Sequence, residues 1–571
     1  MAAYRLNVAV ISFFLIFSTA VAVGVTRGQT LEERVDRYIA SFPRNQEFHG
    51  VIFAAAGDRI FLNKGYGLAD REFNIPQAPD VKFQVGSISK AFTAILTLKM
   101  AEMGRLGLDD TIRDHLPEYP EESGNRITIR HLLSHTSGIP HHITAIPDYW
   151  LRHDKVFHTP RELLELFSRV PLLHAPGERI TYSSPGFYVL GAILERVAQK
   201  SYAELLRECI FDPLGMKDTS IENDRSVRGR LARGYMRGIV GLVRAGFEDK
   251  STALAAGDLV TTARDLFLWD KGMRAGKILS PESATLLYRP ILPDNIFTMG
   301  GPLLTLKTDG GTKTIRLNRL SGSSTGYAAA MDRILEAEAC VIVLSNVQDA
   351  DVTRILDDVS DFLTRHELNL PIGSPAPQDV TPPQAAVIAH ADFERILGFY
   401  GKRGGNISGV VRGVNKLYLM NYSGGAIAPP VLELVPEDSD SFNLGWMPFS
   451  KCRISPAAAS GKLTLSTVIR GRTASALEKI EPLDEDVSGF VGVYMSTELQ
   501  KSFRFHRSPD GLTAEKFLGG GDVRLTPLDK DLFGYDGGFI LFSRYPDGSI
   551  YGFKLMTYAT DTFMGSRFIK I

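Results

Sequence analysis

Residues 370–384 read LPIGSPAPQDVTPPQ and carry five prolines. A proline fixes φ and has no N–H to donate, so neither a helix interior nor a central strand runs through such a stretch. The chain is therefore cut here, within a linker placed at 369–390, and the two sides must build separate cores. With 571 residues, a prior of about 100–200 residues per domain allows about three or four domains.

Before the cut the pattern is mixed. Leu31, Val35, Tyr38 and Ile39 share one helical face. HGVIFAAAGDRIFLNKGYGLAD holds two strand-like runs around Gly57 and Asp58. From Ser87 to about Met103 the pattern is helical, and Gly104 ends it. Helical patterns return near 161–170, 185–200 and 201–210, and a strand pair at 326–346. Strands at both ends with helices between predict one α/β domain over 31–368. Residues 141–160 are aromatic and proline-broken, which predicts a loop over a site, lined by Tyr149, Trp150 and Phe157 or packed on the domain by them.

After the cut, apolar and polar residues alternate between glycine turns, and a G-x-Y opening recurs about ninety residues later. This predicts two related antiparallel β-units, 391–484 and 485–571, each a small barrel.

The 64 Lys and Arg balance 65 Asp and Glu. That gives no general reason to expect nucleic acid or an anionic membrane surface as partner. Cys209, Cys340 and Cys452 are too few and too far apart for a disulfide framework or a zinc set, so they read as free thiols. His141 and His142 are adjacent, which is poor geometry for one metal, and neither H-E-x-x-H nor C-x-x-C occurs. No metal and no cofactor is expected. Arg5 followed by LNVAVISFFLIFS and small residues at Ala20 and Ala22 fits a secretory signal over 1–22. The competing reading is an uncleaved anchor. On the first reading the mature protein is secreted or periplasmic and has no membrane span.

The chemistry starts at FQVGSISKA, residues 83–91. Ser87 and Lys90 are spaced i,i+3, which puts the amine within reach of the hydroxyl on a helix start. A serine attacks well only when a neighbour takes its proton. A helix start also presents N–H groups to an oxyanion. Alone, the tetrapeptide is weak evidence, because a capped helix with a solvated lysine is the commoner reading.

Its context is more specific. FQVGSISKAFTAILTLKMAEMGRLGLDDTI, ITIRHLLSHTSGIP, PGERITYSSPGFYVLGAILERVAQKSYAELLRECIFDPLGMKDTS, AAGDLVTTARDLFLWD and SGSSTGYAAAMDRILEAEACVIVLSN occur in order. Together they resemble the serine β-lactamase and penicillin-binding-protein superfamily, in its class C, D-aminopeptidase and esterase branch. The resemblance implies an α/β (α+β) catalytic domain with an antiparallel sheet flanked by helices, ahead of the two all-β units. It implies Ser87 as nucleophile, Lys90 as its activating partner and Tyr182 as general acid/base. The family's Y-x-N motif reads Tyr182-Ser183-Ser184 here, so Ser184 replaces an amide by a hydroxyl. The family's K-T-G or H-x-G motif aligns with Leu320-Ser321-Gly322, so its cation is lost. Gly322 still allows close approach, and the N–H of Ser323 would join that of Ser87 in an oxyanion hole. Arg319 is next to Leu320, but strand neighbours face opposite sides, so it is not expected to substitute. His135 is expected to stabilise a turn.

The implied activity is an acyl-enzyme hydrolase acting on a small peptide or, second, an ester. The departures at 184 and 320 argue against a β-lactam-hydrolysing enzyme and a strict D-Ala-D-Ala carboxypeptidase. The layout is compatible with a family peptidase that cuts linearised microcystin, although no motif identifies that substrate. A catalytically weak binder of cell-wall peptides is the other class of function. The β-units would shape specificity, limit access to the cleft or make a homodimer.

Overall fold

A computed structural model gives the architecture. It describes residues 29–370 apart from 43–46, 142–152, 154, 222–228, 238–241, 293–296 and 308–313, and beyond residue 397 the strands with part of their turns. The expected leader, nearly all of the proline-rich linker, His142, Tyr149 and Trp150 lie outside the described residues.

Helix α1 (Leu31–Ala40) begins at a capping box, in which Thr30 and Glu33 each satisfy the other's backbone N–H. Strands β1 (Gly50–Ala56) and β2 (Arg59–Tyr66) form a hairpin through Gly57, whose φ is +55°. Five more strands follow far along the chain: β3 (Phe297–Thr298), β4 (Gly301–Lys307), β5 (Thr314–Ser324), β6 (Tyr327–Ile334) and β7 (Ala339–Ser345). They join the hairpin in the order β3-β4-β5-β6-β7-β1-β2, antiparallel throughout. Between hairpin and return lie α2 (Ser89–Glu102), α3 (Ser184–Ala198) and α4 (Ala263–Arg274), and α5 (Val352–Phe362) closes the domain.

Strand β7 reads ACVIVLS, apolar almost throughout, because both of its faces are covered. Cys340, Ile342 and Leu344 enter the larger core with α2, α3 and α4, whereas Val341 and Val343 meet α1 and α5. Helix α2 is apolar nearly all round, as suits a helix enclosed by others. Its Phe92 stacks on Trp269 of α4 at 5.0 Å. The α/β class implied by the resemblance is the one adopted.

In the C-terminal half, eight strands from Gly398–Gly401 to Arg472–Glu478 pair in chain order in one antiparallel sheet, and Tyr400 bridges Lys479. Eight more, from Gly492–Ser496 to Arg567–Lys570, form a closed barrel. Phe490, Phe503, Phe505, Phe533, Phe542 and Phe553 pack at its centre, with ring centroids 4.8–6.3 Å apart. Such a barrel is a filled core, not a channel. Phe399 of the sheet lies against Gly534 of the barrel, where a Cβ would come within 2.1 Å of its ring. Among the described residues, no helix is long and apolar enough to cross a membrane.

Candidate active site

Ser87 does not lie in α2. Gly86–Ile88 make one 3-10 turn, and α2 begins at Ser89. This corrects the expectation of a helix starting at Ser87, and the cause is local. Gly86 takes φ +49°, and Ser89 Oγ donates to Gly86 O at 2.7 Å while accepting from Leu259 N at 3.1 Å. The i,i+3 relation survives because a 3-10 turn stacks residues three apart.

Lys90 is 7% exposed, and its Nζ donates to Ser87 Oγ at 3.1 Å and to Ala256 O at 2.7 Å. The second bond fixes the ammonium, and it comes from a strained loop: neighbouring Ala255 has φ +56°. Tyr182 precedes Ser183, the N-cap of α3. Its hydroxyl donates to Ser87 Oγ at 2.7 Å, and the side chain is 37% exposed. Ser87, Lys90 and Tyr182 are thus brought together, from two segments far apart in sequence.

Two histidines stack on the Tyr182 ring. His135 stacks on it at 4.5 Å and His141 at 5.7 Å. His135 keeps the turn role expected of it: its carbonyl accepts from Thr181 N at 2.8 Å and its Nδ1 from Ser183 N at 3.2 Å, at φ +57°. It also lines the cleft. Burial, followed by the nearby Lys90 and His141 charges, pushes His135 down to about 3. Burial and Lys90 push His141 down to about 4. Both rings are neutral at ordinary pH.

Ser184 is buried at the start of α3, is not among the residues lining the cleft, and faces His141 Nε2 at 3.5 Å. Leu320, Ser321, Gly322 and Ser323 all line the cleft. A Cβ on Gly322 would lie 2.0 Å from Val85 O, and one on Gly86 would lie 2.4 Å from Ser323 O. The two backbones therefore cross in contact, which brings the N–H-bearing segments at Ser87 and Ser323 together. Arg319 points away, forking onto Asp332 at 2.7 Å for each bond and reaching Asp357 at 2.7 Å.

The cleft has a volume of about 460 Å³. Phe187, Phe297, Met299, Pro302 and Leu320 give it apolar walls. Among the described lining residues Lys90 is the one lysine or arginine, and its Nζ is turned onto Ser87. A larger surface groove of about 1130 Å³ runs past Tyr119, Arg161 and Glu195. It contains none of these reactive groups, so size alone does not locate the chemistry.

No motif assigned a role to His141, Ala256 or the strand residues 297–302, although Ala256 lies in the AAGDLV run and His141 opens the 141–160 stretch. No local spacing marks them, because the tertiary fold delivers them.

A beta-lactamase family model matches residues 35–365, more than half of the chain. The chain belongs to the beta-lactamase family. It is a serine hydrolase of the beta-lactamase and penicillin-binding-protein group. This beta-lactamase family chain is 24% identical to penicillin-binding protein 4* of Bacillus subtilis over 410 residues, 68% of this chain and 88% of that protein. An octameric penicillin-binding-protein homologue from Pyrococcus abyssi shares the fold at TM-score 0.52 and 22% identity, over 79% of this chain and 99% of that one. The D-amino acid amidase of Ochrobactrum anthropi SV3, complexed with D-phenylalanine, matches at TM-score 0.50 and 25% identity, over 59% of this chain and 98% of that one.

Proposed function

We propose that the chain is an exported hydrolase that opens uncharged amide bonds of small peptides, including linear peptides with D-residues, through an acyl-enzyme on Ser87. The observation that carries this reading is the convergence of Lys90 Nζ and Tyr182 OH on Ser87 Oγ, at 3.1 and 2.7 Å. The likeness to a D-amino acid amidase favours amides.

Ser87 Oγ attacks the carbonyl carbon, and its proton passes to the Lys90–Tyr182 pair. The oxyanion lies against the N–H groups of Ser87 and Ser323. Collapse breaks the C–N bond. Tyr182, exposed to the cleft where Lys90 is enclosed, hands the proton to the departing nitrogen. Water then attacks the ester, gives up a proton along the same path and releases the acid, restoring Ser87. Leu320 stands where the family places a cation, so among the described lining residues a free carboxylate beside the scissile bond meets no lysine or arginine other than Lys90, which is already bonded to Ser87. The same apolar wall suits neutral esters, the second substrate class.

A fluorophosphonate probe with peptide mapping tests the reading. Labelling at Ser87, absent in Ser87→Ala, with turnover of capped L- and D-peptides, linearised microcystin among them, is the expected result. Folded protein that takes no label and binds cell-wall peptides without turnover would replace this reading by the binding one. N-terminal sequencing of exported protein tests the signal at 1–22.

A further inference from the structure

Lys250 is 4% exposed and has no part in the steps above. Its Nζ sits 2.7 Å from Glu248 Oε2 and donates to Ser324 Oγ at 2.7 Å. Ser324 Oγ in turn donates to Gln84 Oε1 at 2.7 Å. Thr325 Oγ1 donates to Glu248. These contacts surround one place, the β5–β6 hairpin tip that follows Ser323, and Gln84 lies in the short strand Phe83–Gln84 that leads into the nucleophile turn.

We propose that the Glu248–Lys250 pair is a positioning clasp for the oxyanion hole, tying the strand end that carries the Ser323 N–H to the segment that carries Ser87. The inference rests on the proposed function. Two donors on separate segments act together only if their spacing is set closely, and an error of 1 Å costs about 100-fold in rate. The interlocked Gly86 and Gly322 stop the segments from coming closer. They do not stop them from parting. The Ser324–Gln84 bond supplies that restraint directly, Lys250 holds Ser324 in place for it, and Thr325–Glu248 ties the tip to the same ion pair one residue on. On the other side of the tip, Gly326 N donates to Gln348 Oε1 at 3.0 Å, so the tip is held from both flanks. Burial favours the neutral form of Glu248, but Lys250 and the bonds from Lys250 and Thr325 outweigh it and hold the carboxyl below its ordinary range.

The clasp touches no substrate, so its loss should appear in kcat and not in KM. Lys250→Met, Glu248→Gln and Ser324→Ala are compared with wild type and with Val359→Ala, a core variant on the far face of the sheet. Rates are expressed per site titrated by fluorophosphonate. Affinity for a boronic acid, which forms a tetrahedral anion on the serine, is measured alongside. The expected result is a kcat lower by about 10- to 100-fold, an equal loss in boronate affinity, and KM within about threefold. Ser324→Thr, which keeps the hydroxyl, should recover most of the rate. Per-site kcat and boronate affinity like those of wild type, or changes matched by Val359→Ala, would overturn the clasp and leave the proposed function intact. Should Lys250→Met not fold, Ser324→Ala decides alone, since it leaves the ion pair in place. Wild type without label or turnover removes the proposed function and this inference together.

Discussion

Gly322 and Ser87 meet backbone to backbone: a Cβ on Gly322 would lie 2.6 Å from Ser87 N and 2.0 Å from Val85 O. Neither atom is the end of a flexible side chain, so a methyl group there must push β5 off the nucleophile turn. Gly322→Ala should therefore cost at least about 100-fold in kcat, the scale of losing one oxyanion donor. Single-turnover acylation measures it. An alanine variant that acylates at the wild-type rate would show that the crossing does not set the donor spacing.

Leu320 replaces a cation by an apolar wall, which yields a prediction about substrate charge. Wild type should prefer peptides capped as amides at the scissile end over those with a free carboxylate. Leu320→Lys should shift the kcat/KM ratio toward the carboxylate by about 10-fold, the discrimination worth about 1.4 kcal/mol. It should also cost about 1–3 kcal/mol of stability, because Leu320 is buried in the larger core. A wild-type preference for the free carboxylate would contradict the proposed role of Leu320.

Much of this arrangement is legible locally, and the reason differs from residue to residue. The Ser87–Lys90 spacing survives the change from α to 3-10 geometry because both stack residues three apart. The strand pair expected over 326–346 is β6 and β7, and the helical face of Leu31, Val35, Tyr38 and Ile39 is the side of α1 that packs into a core. Tyr182 was reachable only through a family pattern, since nothing between residues 87 and 182 ties the two together. Lys250 has no signal of its own, and neither the AAGDLV run nor the 141–160 stretch says that Ala256 O meets Lys90 or that His141 stacks on Tyr182. Each is placed by segments that converge only after α2 is enclosed. The Lys250–Glu248 pair in particular is two charges in a short EDK run, and becomes a buried tie only where Ser324 and Thr325 of the β5–β6 hairpin reach it.

His135 makes the fold sensitive to mild acid. Its pKa in the fold is about 3 against an unfolded value near 6.5. The unfolded chain therefore binds the extra proton first, so stability from this group is complete above pH 6.5 and falls as pH drops toward 3. Between pH 6.5 and 5 ordinary carboxylates stay ionised, which isolates histidine effects. His135→Asn tolerates the positive φ and keeps an acceptor for Ser183 N–H. Its Tm should fall less steeply than that of wild type across pH 6.5–5. Parallel slopes would mean that the ring is not held neutral.

Lys90 and Tyr182 both reach Ser87 Oγ, and the leaving group can separate their roles. A fluorophosphonate expels fluoride, which needs no proton. An amide expels an amine, which does. If Lys90 activates the nucleophile and Tyr182 delivers the proton, Lys90→Ala should lose labelling and turnover alike. Its loss should also approach that of Ser87→Ala without adding to it, since groups that act as a unit are not additive. Tyr182→Phe should keep labelling within about 10-fold of wild type yet lose amide turnover by about 100- to 10,000-fold, the usual scale of general acid catalysis. A p-nitrophenyl ester, whose leaving group is stable as an anion, should fall between the two. The stacked His135 and His141 would still hold the phenyl ring, so the variant removes one hydroxyl and little else. Should Tyr182→Phe abolish labelling as completely as Lys90→Ala, the hydroxyl that bonds Ser87 at 2.7 Å is the base that takes its proton, and Lys90 serves to hold that oxygen's charge.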